Sequence, residues 1–238
     1  MTNSERPGLR PGLPMPPGFM RSLPLDERGY PVPWFVQWID GKPEFRIMNS
    51  QHLRRAVEED RCWICGKRMM TEKVFVVGPM CTVNRISAEP PSHRACAKYA
   101  AQACPFLTMP KMVRRENNLP DDIKFSESSL AHNPGVTALW YCYRYRQLFI
   151  PDGSGRLFQM GQPLQVEWYK FGRRATRQEV EDALESGLPN LEARALRERD
   201  PSCALSLLRQ KRREVDRFLP HPERQPVGKS SQEEESAS

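Results

Sequence analysis

Two pairs of metal-ligand residues constrain this chain more than any other feature: Cys62 and Cys65 in RCWICGKRMM, and His93 and Cys96 in SHRAC, with 27 residues between Cys65 and His93. Structural zinc takes four sulfur or nitrogen ligands in a tetrahedron, with metal-to-sulfur distances of about 2.3 Å, so the ligand atoms lie within roughly 4 Å of one another. A C-x2-C turn meets that demand, as do two groups three apart on a helix, which share a face. The intervening KVFVVGPMCTVNRIS reads as two strands about a Gly78-Pro79 turn. EPPSHRACAKYAAQAC then opens a helix, with Ser92 as N-cap and His93 and Cys96 in its first turn. The predicted order is knuckle, hairpin, helix.

Two other cysteines compete for the fourth position. Cys104 lies eight residues beyond Cys96, about 12 Å along an unbroken helix, which is too far. Cys81 sits near the predicted hairpin turn, at the end pointing away from the knuckle. Either displaces His93 if the helix breaks early or the turn falls elsewhere. A redox C-x-x-C needs a helix starting at the cysteines, whereas here strand-forming residues follow. Cys104, Cys142 and Cys203 read most simply as buried apolar residues.

Around residues 60 to 104 the sequence resembles the treble-clef class of zinc fingers, in which a knuckle and a helix's first turn supply two ligands each. That resemblance implies Zn2+ held by Cys62, Cys65, His93 and Cys96. Treble clefs also carry HNH nucleases, which need a general-base histidine on the hairpin and further ligands for a catalytic cation. The predicted hairpin has neither His nor Asp, and His93 is committed to the metal, so the expectation is a protein that is not an enzyme. A nuclease returns only if His93 is free. His52, His132 and His221 read as surface residues, and no P-loop, G-x-S-x-G or H-E-x-x-H is present. GPMC, AEPPSH, ACPFL and ATRQEVEDALESGLP together resemble an uncharacterised family of bacteriophage and prophage proteins, a likeness that implies no activity.

Charge supplies the next clue. Residues 61 to 115 carry ten Lys or Arg against Glu72 and Glu89, a net +8 beside +7 for the whole chain. Positive charge is thus concentrated in the cysteine module, the footprint expected for contacts with a nucleic-acid phosphate backbone. The candidate contacts are Lys67, Arg68, Arg85, Arg94 and Lys98. The alternative is a protein-interaction scaffold, in which zinc only stabilises the fold and Trp34, Trp38, Trp140 and Trp168 offer an aromatic surface.

The rest of the chain arranges itself around that module. Residues 1–33 hold eight of the 23 prolines and read as a disordered arm. Residues 34–115 form a hairpin about Asp40-Gly41, a helix opened by Ser50, and the zinc module. Residues 116–135 read as a linker, 136–219 as a β region with C-terminal helices, and 220–238 as a disordered tail. In the β region, Asp152-Gly-Ser-Gly155 marks a turn, and WYCYRYR keeps no single alternating phase. Thr176 and Glu179 predict a capping box for a helix ending at Gly187 and Pro189, with further helices interrupted near Asp200-Pro201. The predicted fold class is α+β. The N-terminal residues contain no apolar run of signal-peptide type, and no window is long and apolar enough to span a membrane, so a cytoplasmic setting with reduced cysteines is expected.

Overall fold

In the computed structural model of the 238-residue chain, residues 8–109, 135–150 and 155–221 are described. The expected linker, apart from Gly135, lies outside them, as do most of the 152–155 turn and nearly all of the 220–238 tail.

Strand β1 (Val36–Ile39) and strand β2 (Lys42–Met48) form the expected antiparallel hairpin. Asp40 (φ 48°) and Gly41 (φ 76°) occupy the two left-handed positions that a two-residue turn requires. Helix α1 (Ser50–Glu58) is capped by Asn49 rather than Ser50, the Asn49 carboxamide oxygen accepting from the His52 amide at 2.9 Å. After the cysteine turn comes β3 (Lys73–Val77). The predicted second strand is instead helix α2 (Pro79–Asn84), closed by Arg85 in the left-handed region. Gly78 as N-cap and Pro79 at the first helical position open a helix here; a short apolar run such as MCTV has no period that separates helix from strand. There follow β4 (Ile86–Ser87), α3 (Arg94–Ala103) and α4 (Pro105–Thr108). The second half contributes β5 (Thr137–Cys142), β6 (Tyr145–Phe149), β7 (Arg156–Met160), β8 (Gln165–Lys170) and β9 (Arg173–Arg174). Helices α5 (Arg177–Ala195) and α6 (Pro201–Val215) complete it.

The halves share one mixed core. An antiparallel sheet of order β3-β5-β8-β9 joins the cysteine module directly to the second half, because β3 pairs with β5 rather than with its neighbour in sequence. A second sheet, β4-β7-β6, does the same through β4 and β7. Strand β5 is buried at every position because both its faces are covered. Leu139 and Tyr141 pack with Ala97 and Ala101 of α3, while Ala138, Trp140 and Cys142 face Met80, Val83, Val180, Leu184 and Leu208 from α2, α5 and α6. The broken phase of WYCYRYR has the same origin: Trp140 and Cys142 end one strand, and Tyr145 starts the next after the chain turns at Tyr143 and Arg144.

Two further expectations are corrected. Residues 8–33 pack against the module, with Met20 and Val32 buried and an antiparallel bridge between Leu25 and Pro31. The capping box at Thr176 and Glu179 forms, but α5 runs past Gly187 and Pro189 to Ala195. Gly187 marks a close helix approach there, since a β-carbon would stand 2.8 Å from the Met80 sulfur on α2. Asp200 caps α6 through the Cys203 amide, at the expected interruption.

Candidate metal centre

The first ligand pair is set by a tight turn. The Gly66 amide donates to the Cys62 carbonyl and the Cys62 amide to the Lys67 carbonyl, both at 2.8 Å, while Arg61 and Arg68 bridge across the base. Gly66 takes φ +71° and lies so close to Trp34 that a β-carbon would be 2.7 Å from the indole ring. Only glycine meets both demands. The turn brings the Cys62 and Cys65 thiols to one side, into a buried cluster with Ile64, Met69, Cys96 and Tyr99.

The second pair comes from the start of α3. His93 is the N-cap and Cys96 lies in the first turn, so the helix begins one residue later than Ser92 predicts. The Ser92 backbone instead pairs in both directions with Val74 of β3, anchoring the helix start to the sheet. The thiols of Cys62, Cys65 and Cys96 and a ring nitrogen of His93 all lie within 4.8 Å of one another, and all four residues are buried. His93 Nδ1 is 3.4 Å from Cys65 Sγ and 3.9 Å from Cys96 Sγ, and the His93 amide donates to Cys62 Sγ at 3.3 Å. The other ring nitrogen, Nε2, is 3.1 Å from the Arg68 carbonyl. With Nε2 held at that carbonyl, Nδ1 is the ring nitrogen that faces the thiols, the arrangement that orients a metal-ligating histidine.

Electrostatics in the metal-free cluster agree. Burial disfavours a Cys62 thiolate, but donation from Cys65, Cys96 and His93 outweighs it and lowers the Cys62 pKa. Hydrogen bonding to Cys62 and Cys65 pushes His93 up to about 10. Hydrogen bonding to Cys62 and Cys65, together with burial, raises Cys96. The thiolate is therefore favoured at Cys62, within the set of ligand atoms where a cation would sit. Three thiols and one imidazole in this geometry can hold a metal ion such as zinc.

The rival ligands lie elsewhere. Cys81 is on α2 beside the main core, where burial pushes its thiol up to about 11. Cys104 ends α3, and burial raises its thiol as well. The proline-rich segment supplies a wall that the local sequence did not suggest: the Phe19 ring stacks on His93 at 4.5 Å, and Met20 is buried beside the cysteines.

Of the five basic residues proposed to contact nucleic acid, three are engaged by carboxylates. Arg94 donates to Glu72 at 2.9 Å and stands 4.4 Å over the Tyr141 ring. Lys98 pairs with the buried Glu167 at 3.2 Å, and Arg85 with Glu214 at 2.6 Å. Glu167 also takes Arg174 at 3.0 Å and the Tyr169 hydroxyl at 3.2 Å. Burial raises its pKa, but Lys98 and Arg174 outweigh that and hold it below the ordinary range. Glu167 and Glu214 come from outside residues 61–115, so charge counted over a sequence window could not include them. Lys67 and Arg68 remain exposed beside the centre. Of the four tryptophans expected to form an aromatic surface, Trp140 and Trp168 are buried and Trp34 stacks on His52; Trp38 is exposed.

No family model, curated protein or solved structure matches the chain, so neither the treble-clef nor the bacteriophage resemblance gains support from these comparisons. Among the described residues, no helix is long and apolar enough to cross a membrane.

Proposed function

We propose that the chain is a non-catalytic, zinc-stabilised binding protein whose partner is nucleic acid. The observation that carries this reading is the buried set of ligand atoms from Cys62, Cys65, His93 and Cys96, mutually within 4.8 Å. Four protein ligands fill a tetrahedron and leave no position for a reacting water, which is the arrangement of structural rather than catalytic zinc. The nuclease alternative needs a free histidine base, whereas His93 faces the thiols through Nδ1 and the Arg68 carbonyl through Nε2. Zinc so placed joins the cysteine turn to α3, while the Lys98–Glu167 ion pair separately ties α3 to the sheet.

The nucleic-acid part rests on the chain's +7 charge and the exposed Lys67 and Arg68. Filter binding to random-sequence oligonucleotides at 50 and 200 mM salt tests it; binding that weakens with salt is expected, and no binding at the lower salt refutes it. A protein partner is the second reading, favoured by Trp38, Ile39, Phe45 and Met48, which the β1–β2 hairpin leaves exposed. A stable protein partner that co-purifies without nucleic acid would establish it instead.

A further inference from the structure

The last long helix carries a cationic face of its own. Residues 201–218 hold five Lys or Arg against Glu214 and Asp216, a net +3. Helix α6 turns its apolar side inward: Leu208 and Val215 are buried in the main core, and Ala204 and Leu205 pack against it. Ser202, Ser206, Arg209 and Arg213, spaced four, three and four residues apart, therefore fall on one stripe that faces away from that core. All four are exposed, and the stripe runs about 16 Å along the helix at 1.5 Å per residue. Arg217 follows in the 3-10 turn Asp216–Phe218 and is exposed as well. Leu207 is also exposed but falls on the other flank of the helix. Both acids of the segment are engaged by cations off the stripe, Glu214 by Arg85 at 2.6 Å and Asp216 by Arg212. Among the described residues, Arg209, Arg213 and Arg217 have no carboxylate partner. The favourable position of a cation in a helix's last turn accounts for Arg213 but not for Arg209, a full turn earlier.

From these observations we infer that the outer stripe of α6 is a phosphate-binding ridge for double-stranded nucleic acid, with Arg209, Arg213 and Arg217 on phosphates and the Ser202 and Ser206 hydroxyls donating beside them. Every side chain on the stripe can donate a hydrogen bond, and none is anionic. A single strand is held largely by stacking its bases on aromatic rings, and the stripe has none. A helix that lies on a membrane needs its apolar face free for lipid, whereas that of α6 is buried in the core. A duplex keeps its bases stacked inside and presents its phosphates outward, which is what a ring-free row of donors can use. The ridge rests on the nucleic-acid reading above and deepens it, but it does not depend on the metal.

The test is fluorescence anisotropy of a labelled 20-base-pair DNA duplex of random sequence with the zinc-loaded full chain between 50 and 200 mM salt. Its single strand, an RNA duplex, phosphatidylserine vesicles and polyglutamate serve as competitors. Preference for the duplex over single strand, vesicles and polyglutamate is expected, with the RNA duplex competing because it presents the same phosphates. Arg209→Ala with Arg213→Ala should weaken binding and flatten the log–log salt slope by about 1.8, at roughly 0.9 for each phosphate no longer neutralised. The loss of affinity should then be about twelvefold larger at 50 than at 200 mM salt. Arg209→Lys with Arg213→Lys keeps the charge and should keep the wild-type slope. These positions are exposed, and unchanged unfolding curves would establish that the variants fold. Wild-type affinity and slope in the alanine variant, preference for single strand or vesicles, or equal displacement by polyglutamate overturns the inference. If Lys67→Ala with Arg68→Ala abolishes binding while the α6 alanine variant binds as the wild type does, the nucleic-acid reading stands and this ridge falls. If the wild type binds no nucleic acid at 50 mM salt, both fall.

Discussion

Substituting Gly66 by alanine tests how the cysteine turn is built. The residue has φ +71°, and a β-carbon would lie 2.7, 2.8 and 2.9 Å from three atoms of the Trp34 ring. Holding an L-residue in the left-handed region costs about 1–2 kcal/mol. Displacing the indole adds roughly 1–3 kcal/mol of overpacking strain, because Trp34 is stacked on His52 at 4.2 Å and its amide is bonded to the Ile64 carbonyl at 2.7 Å. The expected total is about 2–5 kcal/mol, read as a lower midpoint in urea unfolding of zinc-loaded protein. A cycle with Trp34→Ala separates the parts: the steric term appears as coupling between the two sites, and the conformational term of about 1–2 kcal/mol survives in the double variant relative to Trp34→Ala alone. A loss below about 0.5 kcal/mol in Gly66→Ala would refute the reasoning.

Four other outcomes follow from the same structure. Zinc affinity should fall at least about tenfold for each pH unit below neutrality in a chelator competition, because His93, held up to about 10 in the metal-free cluster, must release its proton to bind; a pH-independent affinity contradicts the ligand set. Glu179, held down to about 2 chiefly by its hydrogen bonds with Arg173, contributes stability that is fully present above its unfolded pKa near 4.5 and is lost as pH falls toward 2. Glu179→Gln should therefore cost under about 1 kcal/mol at pH 7, since the pair is solvent-screened, with the cost shrinking as pH falls through the folded pKa of about 2. Phe75→Ala, at a fully buried position shared by both halves, should cost about 3–5 kcal/mol and lower a single unfolding transition; two separate transitions would show independent cores. Lys98→Ala should cost about 1–3 kcal/mol by leaving the buried Glu167 with Arg174 as its remaining cationic partner, whereas an unchanged unfolding midpoint would show that the pair contributes nothing.

What could be read from sequence was mostly local. The metal pairs follow from residue type and spacing, the β1–β2 turn from Asp40-Gly41, and the α5 start from Thr176 and Glu179; in each case the causative groups are within a few residues. The module's hairpin could not be read correctly, because α2 is stabilised by packing between α5 and α6, which lie about a hundred residues later. Gly187 looked like a helix stop because a close approach to Met80 leaves the same mark in sequence as a C-cap. The basic patch was over-counted for a similar reason: its neutralising partners Glu167 and Glu214 arrive by tertiary folding. The packing of Phe19 and Met20 on the metal centre left little local signal, since two apolar residues in a proline-rich stretch are few for a packed element.

The central claim is that one zinc ion, held by Cys62, Cys65, His93 and Cys96, ties the cysteine turn to α3. Metal stoichiometry of the purified chain by mass spectrometry under non-denaturing conditions, for the wild type and for each of the four ligands changed to alanine, tests it most directly. One zinc per wild-type chain, reduced in all four variants, is predicted. A stably folded wild type without metal, or His93→Ala retaining zinc with undiminished affinity, would contradict it.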